Sequence, residues 1–436
     1  MSQTAPTSME APPNRARRAV VGAGVGTFVE YYDFIIYGFM AAAISHEFFP
    51  TGDPMASLLL TFGAFLASYL IRPLGAVILA PLSDKYGRRP VLAAVILLMT
   101  LATAGIGLLP TYSQIGVWAP ILLTVMRLLQ GLSAGGEYGS AASMVAEFAP
   151  AQRRGFYLGF MTLAIGMGML GGSVVATLCT KVMPSDIFES WGWRIPFLVA
   201  LPVGLIGLYI RSKIEETPHF QELAAQGQIK KTPLATAFRR DRKNLLIGVG
   251  LAGVQTLSLG VFAVYATSYL TVVQGFNSGD SQIVALIGLS TFCVVTVPLG
   301  LAVDRFSRRT LLLFTSGAIA IWFVPAFMMF KSGSLALAIL AVVIALVLAS
   351  LNMTAAATAL MEMFATDTRT TGASVGWQVA TSLFGGPTPL IMTALVATGI
   401  VLLPAVYGAV IALLCLVFVL FSRDAGQKEL KVSGDQ

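Results

Sequence analysis

Residues 84–89 read Asp84-Lys85-Tyr86-Gly87-Arg88-Arg89, and residues 304–309 read Asp304-Arg305-Phe306-Ser307-Arg308-Arg309. The order is the same in both: acid, base, aromatic, small residue, two arginines. Each stretch follows a long apolar run. A second pair of signatures sits at nearly the same offset. Glu147 stands seven residues before Arg154, and Glu362 stands seven before Arg369. Similar signatures at equivalent loops of two halves imply a parallel duplication. Membrane transporters built this way bind their substrate near the bilayer midplane, between the halves, and rock to expose it alternately.

Working outward, the whole composition agrees with a membrane chain. Of 436 residues, 56% are hydrophobic and only 11% charged, and the mean hydropathy is +0.79. A soluble domain carries about 25% charged residues. This excludes an ordinary soluble enzyme, a disordered chain and a secreted disulfide scaffold. Cys179, Cys293 and Cys415 are too few and too scattered for a disulfide framework or a metal site.

A bilayer-spanning helix needs about 20 apolar residues. That ruler yields twelve candidates, at 20–44, 57–82, 90–110, 117–147, 155–180, 195–211, 244–271, 282–303, 310–330, 334–362, 372–398 and 401–422. The reading is therefore an all-α membrane protein with twelve transmembrane helices in two six-helix pseudo-repeat halves. Residues 1–19 form a tail, 20–211 the first half, 212–243 a basic linker, 244–422 the second half and 423–436 a second tail. With the N-terminus inside, 23 of the 28 Lys and Arg fall on the inner face. Three fall outside (Lys181, Arg194, Lys331), and Arg72 and Arg127 lie within spans. This asymmetry predicts a multi-pass cell-membrane protein with both termini cytoplasmic. The net charge of +7 then reads as loop charge, not as a nucleic-acid surface.

At this point the chain resembles a known family. The two six-residue loops are similar to the signature loop of the major facilitator superfamily. RPLG (72–75), RLLQGLSAGGEYG (127–139), WGWRIPF (191–197) and EETPHF (215–220) resemble its metabolite:proton symporter branch. That branch imports citrate, 2-oxoglutarate, shikimate, proline or betaine. SLLLTFGAF (57–65), GDSQIV (279–284) and LFGGPTP (383–389) look most like the citrate and tricarballylate carriers. The resemblance implies a proton-driven symporter for a small organic acid, citrate-like or a dicarboxylate, with an osmolyte symporter of the proline/betaine type as the alternative. One departure stands out. The family loop usually starts with Gly four residues before its Asp; Gly300 keeps it, but Ala80 does not.

Ionisable groups inside the membrane are costly and persist where they face a cavity or one another. The first half has five: Glu30, Asp33, Arg72, Arg127 and Glu137. At about 1.5 Å per helical residue, Glu30, Arg72 and Glu137 fall in one inner layer. Asp33 and Arg127 fall further out, and the family's span-one acid commonly faces its span-four Arg. Glu30, Asp33 and Tyr37 share a helix face. Three acids against two arginines leave one excess carboxylate. A carboxylate without a full partner in low dielectric holds its proton more tightly, as coupling requires. Asp33 is the first candidate, then Glu30 and Glu137. An ion-pair network that merely ties spans one, two and four together is the competing role.

For an anionic substrate Arg127 is the first ligand, because guanidinium grips a carboxylate bidentately; Arg72 is second. Two arginines suit a dicarboxylate better than a trianion. The second half has no Lys or Arg inside its spans, so Gln255, Tyr265, Tyr269, Asn352, Trp377 and Gln378 are its polar candidates. Asn352 and Gln378 rank highest, since amides in lipid need partners. Asp84, Arg88 and Arg89, with Asp304, Arg308 and Arg309, read as latches between inner helix ends, and Glu147 and Glu362 as partners for those arginines. Catalysis is not expected. His46 and His219 lie near no nucleophile motif, and no Walker loop is present. The expected partners are a small organic acid, protons and lipid, with no nucleic acid, no metal and no cofactor beyond the proton gradient. A monomer is the fold's usual state. A membrane sensor that kept the fold but lost transport is the rival from another class.

Overall fold

The structure is a computed structural model. It describes residues 13–75, 77–79, 88–135, 137–212, 241–364, 369–400 and 402–422, with only the backbone at some helix positions, including Arg88, Arg89 and Glu137. Asp84, Ala80 and most of the 212–243 linker lie outside the described residues.

All described regular structure is helical. In chain order the main helices are α1 (Pro13–Phe39), α2 (Pro54–Leu79), α3 (Arg88–Leu108), α4 (Trp118–Ala134), α5 (Glu137–Phe148), α6 (Ala151–Val182) and α7 (Gly192–Ile210). They continue as α8 (Arg242–Val273), α9 (Ser278–Arg305), α10 (Arg308–Lys331), α11 (Leu335–Met363), α12 (Arg369–Ala397) and α13 (Leu403–Leu420). Among the described residues, nine of these are long and apolar enough to cross a membrane: α2 and α6 to α13. The other three expected spans contain positions outside the described residues. The start of α1 carries Arg15, Arg17 and Arg18, and its interior Glu30 and Asp33. Among the described residues the apolar part of α3 runs over Ala93–Leu108. The fourth expected span is covered by α4 and α5, with position 136 between them outside the described residues.

Helix starts follow local chemistry. Asp53 accepts the Met55 N–H at 3.0 Å and Pro54 opens α2; Asn277 accepts the Asp280 N–H at 2.7 Å and opens α9. Each such cap is worth about 1 kcal/mol. The outer surface is apolar at mid-helix. Val294 is 74% exposed and Ile321 77%, a surface that water would penalise and hydrocarbon would not.

Helices α1 to α7 pack chiefly on one another, as do α8 to α13. The two groups meet mainly where α6 lies along α9, and where α12 packs on α2 and α5. Small residues bring backbones together, the usual driving contact between helices in lipid. A Cβ on Gly155 would sit 2.8 Å from the Gly300 carbonyl oxygen, so the family glycine at position 300 serves the α6–α9 crossing. Within the first group, a Cβ on Gly131 would run into the Ser68 carbonyl oxygen. That contact seats α4 on α2. Gly131→Ala must therefore push two backbones apart, at a cost of about 1–3 kcal/mol or more. The expected result is a lower unfolding midpoint in detergent; an unchanged midpoint would show that α2 and α4 can separate freely.

Candidate functional site

A narrow central cavity lies between the two groups of helices. Helical spacing supplies its walls. Glu30, Tyr31, Phe34 and Ile35 come from α1, and Phe65, Tyr69 and Arg72 from α2. Gln255, Thr256 and Gly260 come from α8, and Trp377, Thr381 and Gly385 from α12. Both α8 and α12 change here from α- to π-helix, at Leu259–Tyr265 and Thr381–Gly385. Such wide turns re-aim side chains and recur at functional sites.

Arg72 and Glu30 form the charged floor. The Arg72 Nη1 lies 3.8 Å from Glu30 Oε1, and both side chains are buried. The guanidinium also lies 4.0 Å from the Phe34 ring centre and 4.1 Å from that of Tyr69, a favourable cation–π geometry. The separation of 3.8 Å is an ion pair and not a hydrogen bond. Guanidinium N–H groups thus remain available to a bound anion. The opposite wall is aromatic: Trp377 of α12 stacks on Tyr138 of α5 at 3.9 Å with 18° between the planes.

The outer pair expected from sequence does not form. Arg127 is fully buried, but among the described residues no carboxylate lies within ion-pair distance of it. It donates to Gln130 Oε1 at 2.8 Å and to Ser68 Oγ at 2.9 Å, and lies 4.3 Å from the Tyr37 ring centre. Gln130 stands one helical turn after Arg127 on the same helix and captures its head. Asp33 is fully buried, and neither oxygen has a hydrogen-bond partner of good geometry. Arg127 does not line the cavity, so it is not placed to be the first substrate ligand.

The remaining candidates separate. Tyr37 donates to the Thr61 carbonyl at 3.0 Å and serves the Arg127 cage, outside the cavity wall. Gln255 and Trp377 line the cavity. Gln378 instead donates to the Ala134 and Gly135 carbonyls at 3.1 and 3.3 Å, joining α12 to the end of α4. Asn352 donates to Thr315 at 2.8 Å and to Ser316 at 3.3 Å. It ties α11 to α10, away from the cavity, because the nearest partners for its amide are those hydroxyls. The Glu137 side chain lies outside the described residues.

The latch residues cross between the two groups. Asp304 accepts the Gly155 and Phe156 N–H groups at 2.7 and 2.9 Å, capping α6 from α9. Glu362 lies 3.7 Å from Arg154 and 3.4 Å from Arg308, and Glu147 lies 3.7 Å from Arg369. Each Glu of the repeated seven-residue signature therefore faces the Arg of the other copy. Arg308 is also 3.8 Å from Asp304. Arg309 donates to the Leu420 carbonyl at 2.8 Å and so holds the end of α13. Asp84 and the side chains of Arg88 and Arg89 are not described. The opposite end is closed more lightly, by Lys181–Asp280 at 3.0 Å and by Gln282 donating to the Phe39 carbonyl at 3.0 Å.

Sequence reasoning passed over Tyr31, Phe34, Phe65, Tyr69, Thr256 and Thr381. The repeat 65–69–72 and the repeat 377–381–385 were visible as helical stripes. Aromatic and hydroxyl residues in apolar runs carry no separate mark of function.

Many apolar helices around a polar-floored central cavity, closed at both ends by pairs between two helix groups, define a multi-pass membrane transporter and not an enzyme. The chain belongs to the major facilitator superfamily, which residues 23–375 match. It is 35% identical to the ectoine/proline transporter ProP of Corynebacterium glutamicum over 96% of this chain and 86% of that one. It is 32% identical to the proline/betaine transporter of Escherichia coli K12 over 96% and 85%. The xylose transporter XylE of Escherichia coli, in a partially occluded inward-open conformation, superposes with a TM-score of 0.76 at 16% identity, covering 94% of this chain and 98% of that one. At that identity the likeness concerns the fold. The two relatives matched by sequence are named for ectoine, proline and betaine, and give the citrate-type placement no support. The motifs that suggested it include structural devices: GDSQIV carries the Asp280 contacts of the α9 start, and LFGGPTP ends the π-turn of α12.

Proposed function

We propose that this chain is a proton-coupled symporter of a small zwitterionic osmolyte of the proline, betaine or ectoine class. The observation that carries the reading is the Arg72–Glu30 pair under aromatic walls. A zwitterion presents a carboxylate and a cationic nitrogen a few ångströms apart. Arg72 matches the first. Glu30 and the faces of Tyr31, Phe65 and Trp377 match the second, since aromatic faces attract quaternary and secondary ammonium groups. Among the described residues the cavity floor carries one guanidinium and one carboxylate. A citrate-like anion would need Arg127 as well, and Arg127 is sequestered by Gln130 and Ser68. The named substrates of the 35% and 32% identical relatives point the same way.

In this reading the chain has twelve spans in two six-helix halves, 20–211 and 244–422, with both tails and the linker cytoplasmic. The end carrying Glu147, Asp304 and Glu362 is then the inner gate. Asp33 is the proton site, being fully buried with neither oxygen hydrogen-bonded. The test is uptake into proteoliposomes under an imposed pH gradient, acid outside. Proline or glycine betaine should accumulate with proton entry, and citrate should neither accumulate nor compete. Citrate-driven proton uptake without a response to the zwitterions would overturn the reading.

A further inference from the structure

The interior of the first helix group contains a polar chain that lines no cavity wall. Thr103 of α3 and Gln130 of α4 are both fully buried. Gln130 Nε2 donates to Thr103 Oγ1 at 2.6 Å, and Gln130 Oε1 accepts from Arg127 at 2.8 Å. Arg127 donates onward to Ser68 of α2, four residues before Arg72. At the other end Thr103 neighbours Asp33, whose buried oxygens have no hydrogen-bond partner, while the Thr103 hydroxyl donates to the Met99 carbonyl at 2.9 Å.

We infer that Thr103 and Gln130 form a neutral relay that ties the proton occupancy of Asp33 to the position of Arg127, and through Ser68 to the helix that carries Arg72. This deepens the symport reading and rests on it. The donor–acceptor inventory fixes the direction. The amide of Gln130 cannot flip, because its NH₂ would then face the guanidinium donors of Arg127. Its orientation therefore reports on Thr103. The Thr103 hydroxyl has one proton to give. While Asp33 holds its own proton, that hydroxyl serves the Met99 carbonyl. When Asp33 loses its proton it becomes an acceptor only, and the hydroxyl turns to it. The Thr103 oxygen then presents different lone pairs to Gln130, which shifts its hold on Arg127. No proton passes along the relay; the coupled proton enters and leaves at Asp33. Among the described residues, the charged or titratable groups around Asp33 are Glu30 and Tyr32 on its own helix. Those around Arg127 are Tyr37 from α1 and Tyr69 and Arg72 from α2. Thr103 from α3 and Gln130 from α4 are the neutral links between the two sets. Both are positioning residues and touch no substrate.

The test compares Thr103→Val, Thr103→Ser and Gln130→Leu in proteoliposomes. Proton uptake and labelled proline or betaine uptake are read together, beside solute exchange at equal pH. Thr103→Ser should keep the unmodified proton-to-solute ratio. Thr103→Val and Gln130→Leu should each lower it about fivefold or more, the scale of one buried hydrogen bond, and flatten the pH profile, while exchange persists. An unchanged ratio in both variants overturns the relay and leaves the symport reading intact. Parallel loss of exchange and coupling in both variants also overturns it, since that is the pattern of packing residues. Proton-free uptake by the unmodified protein overturns the relay and the symport reading together.

Discussion

Arg72→Ala is expected to reduce uptake of the transported zwitterion by about a hundredfold, with the protein still folded. Removing one member of a buried ion pair costs about 3–5 kcal/mol, and here the loss falls on the cavity floor. Glu30 stays buried at 3% side-chain exposure without the guanidinium 3.8 Å away. The solute carboxylate loses its fork of donors. Arg72→Lys is not a conservative rescue. An ammonium keeps the charge but cannot lie flat between Phe34 and Tyr69, nor offer two parallel N–H groups. Uptake should therefore fall by roughly tenfold in the lysine variant, mainly through a raised KM, because the lost contact is made to bound solute. Concentration-dependent uptake, with size-exclusion profiles to check folding, separates these outcomes. If Arg72→Ala keeps KM within about twofold, the cavity floor does not read the carboxylate, and the zwitterion assignment loses its carrying observation.

What could be read from sequence divides along a physical line. Apolar length and loop charge act locally, so the helices and the cross-chain signature at 84–89 and 304–309 stood out without any coordinates. Depth along a helix is also local, at a fixed rise per residue, and the inner layer did bring Glu30 and Arg72 together. Rotation about a helix axis was much less legible. Arg127 and Asp33 sit at matching depth, yet Gln130 on the same helix takes the guanidinium first. No periodicity argument ranks those two partners. Asn352 fails for the same reason: an amide needs a partner, and Thr315 and Ser316 supply one from the neighbouring helix. The π-turns at 259–265, 269–273 and 381–385 advance the register of α8 and α12. The faces of Gln255 and Gln378 therefore could not be phased from a 3.6-residue period. The seven-residue signatures show the limit most clearly. Their spacing marked Glu147, Arg154, Glu362 and Arg369 as related, but that each acid meets the other copy's arginine is a property of the packed helix groups alone.

That crossing carries the second large effect. Glu362 lies between Arg308 of its own helix group and Arg154 of the other, and all three side chains are buried. Glu362→Gln removes the charge that both guanidiniums face in the closed state. Breaking a buried ion pair costs about 3–5 kcal/mol; Asp304 beside Arg308 tempers this toward the lower figure. Opening this end lets Arg154 reach water and relieves the penalty, so the cost falls on one state only. About 3 kcal/mol is a shift of more than a hundredfold in a two-state equilibrium, enough to hold this gate open. The Thr370 hydroxyl donates to Ser143 Oγ at 3.0 Å across the same gate, which supplies a gauge. Ser143→Cys with Thr370→Cys, in a background where Cys179, Cys293 and Cys415 are replaced, should cross-link rapidly when Glu362 is present. It should do so about tenfold or more slowly with Glu362→Gln, and net uptake should fall with it. Lys181→Ala at the other end is the contrast. Its pair with Asp280 is 43% and 31% exposed, and exposed pairs contribute about 0–1 kcal/mol, so the cross-linking rate should hardly change. Equal cross-linking with and without the Glu362 carboxylate would mean that Asp304, which caps α6 through two N–H groups, closes the gate by itself.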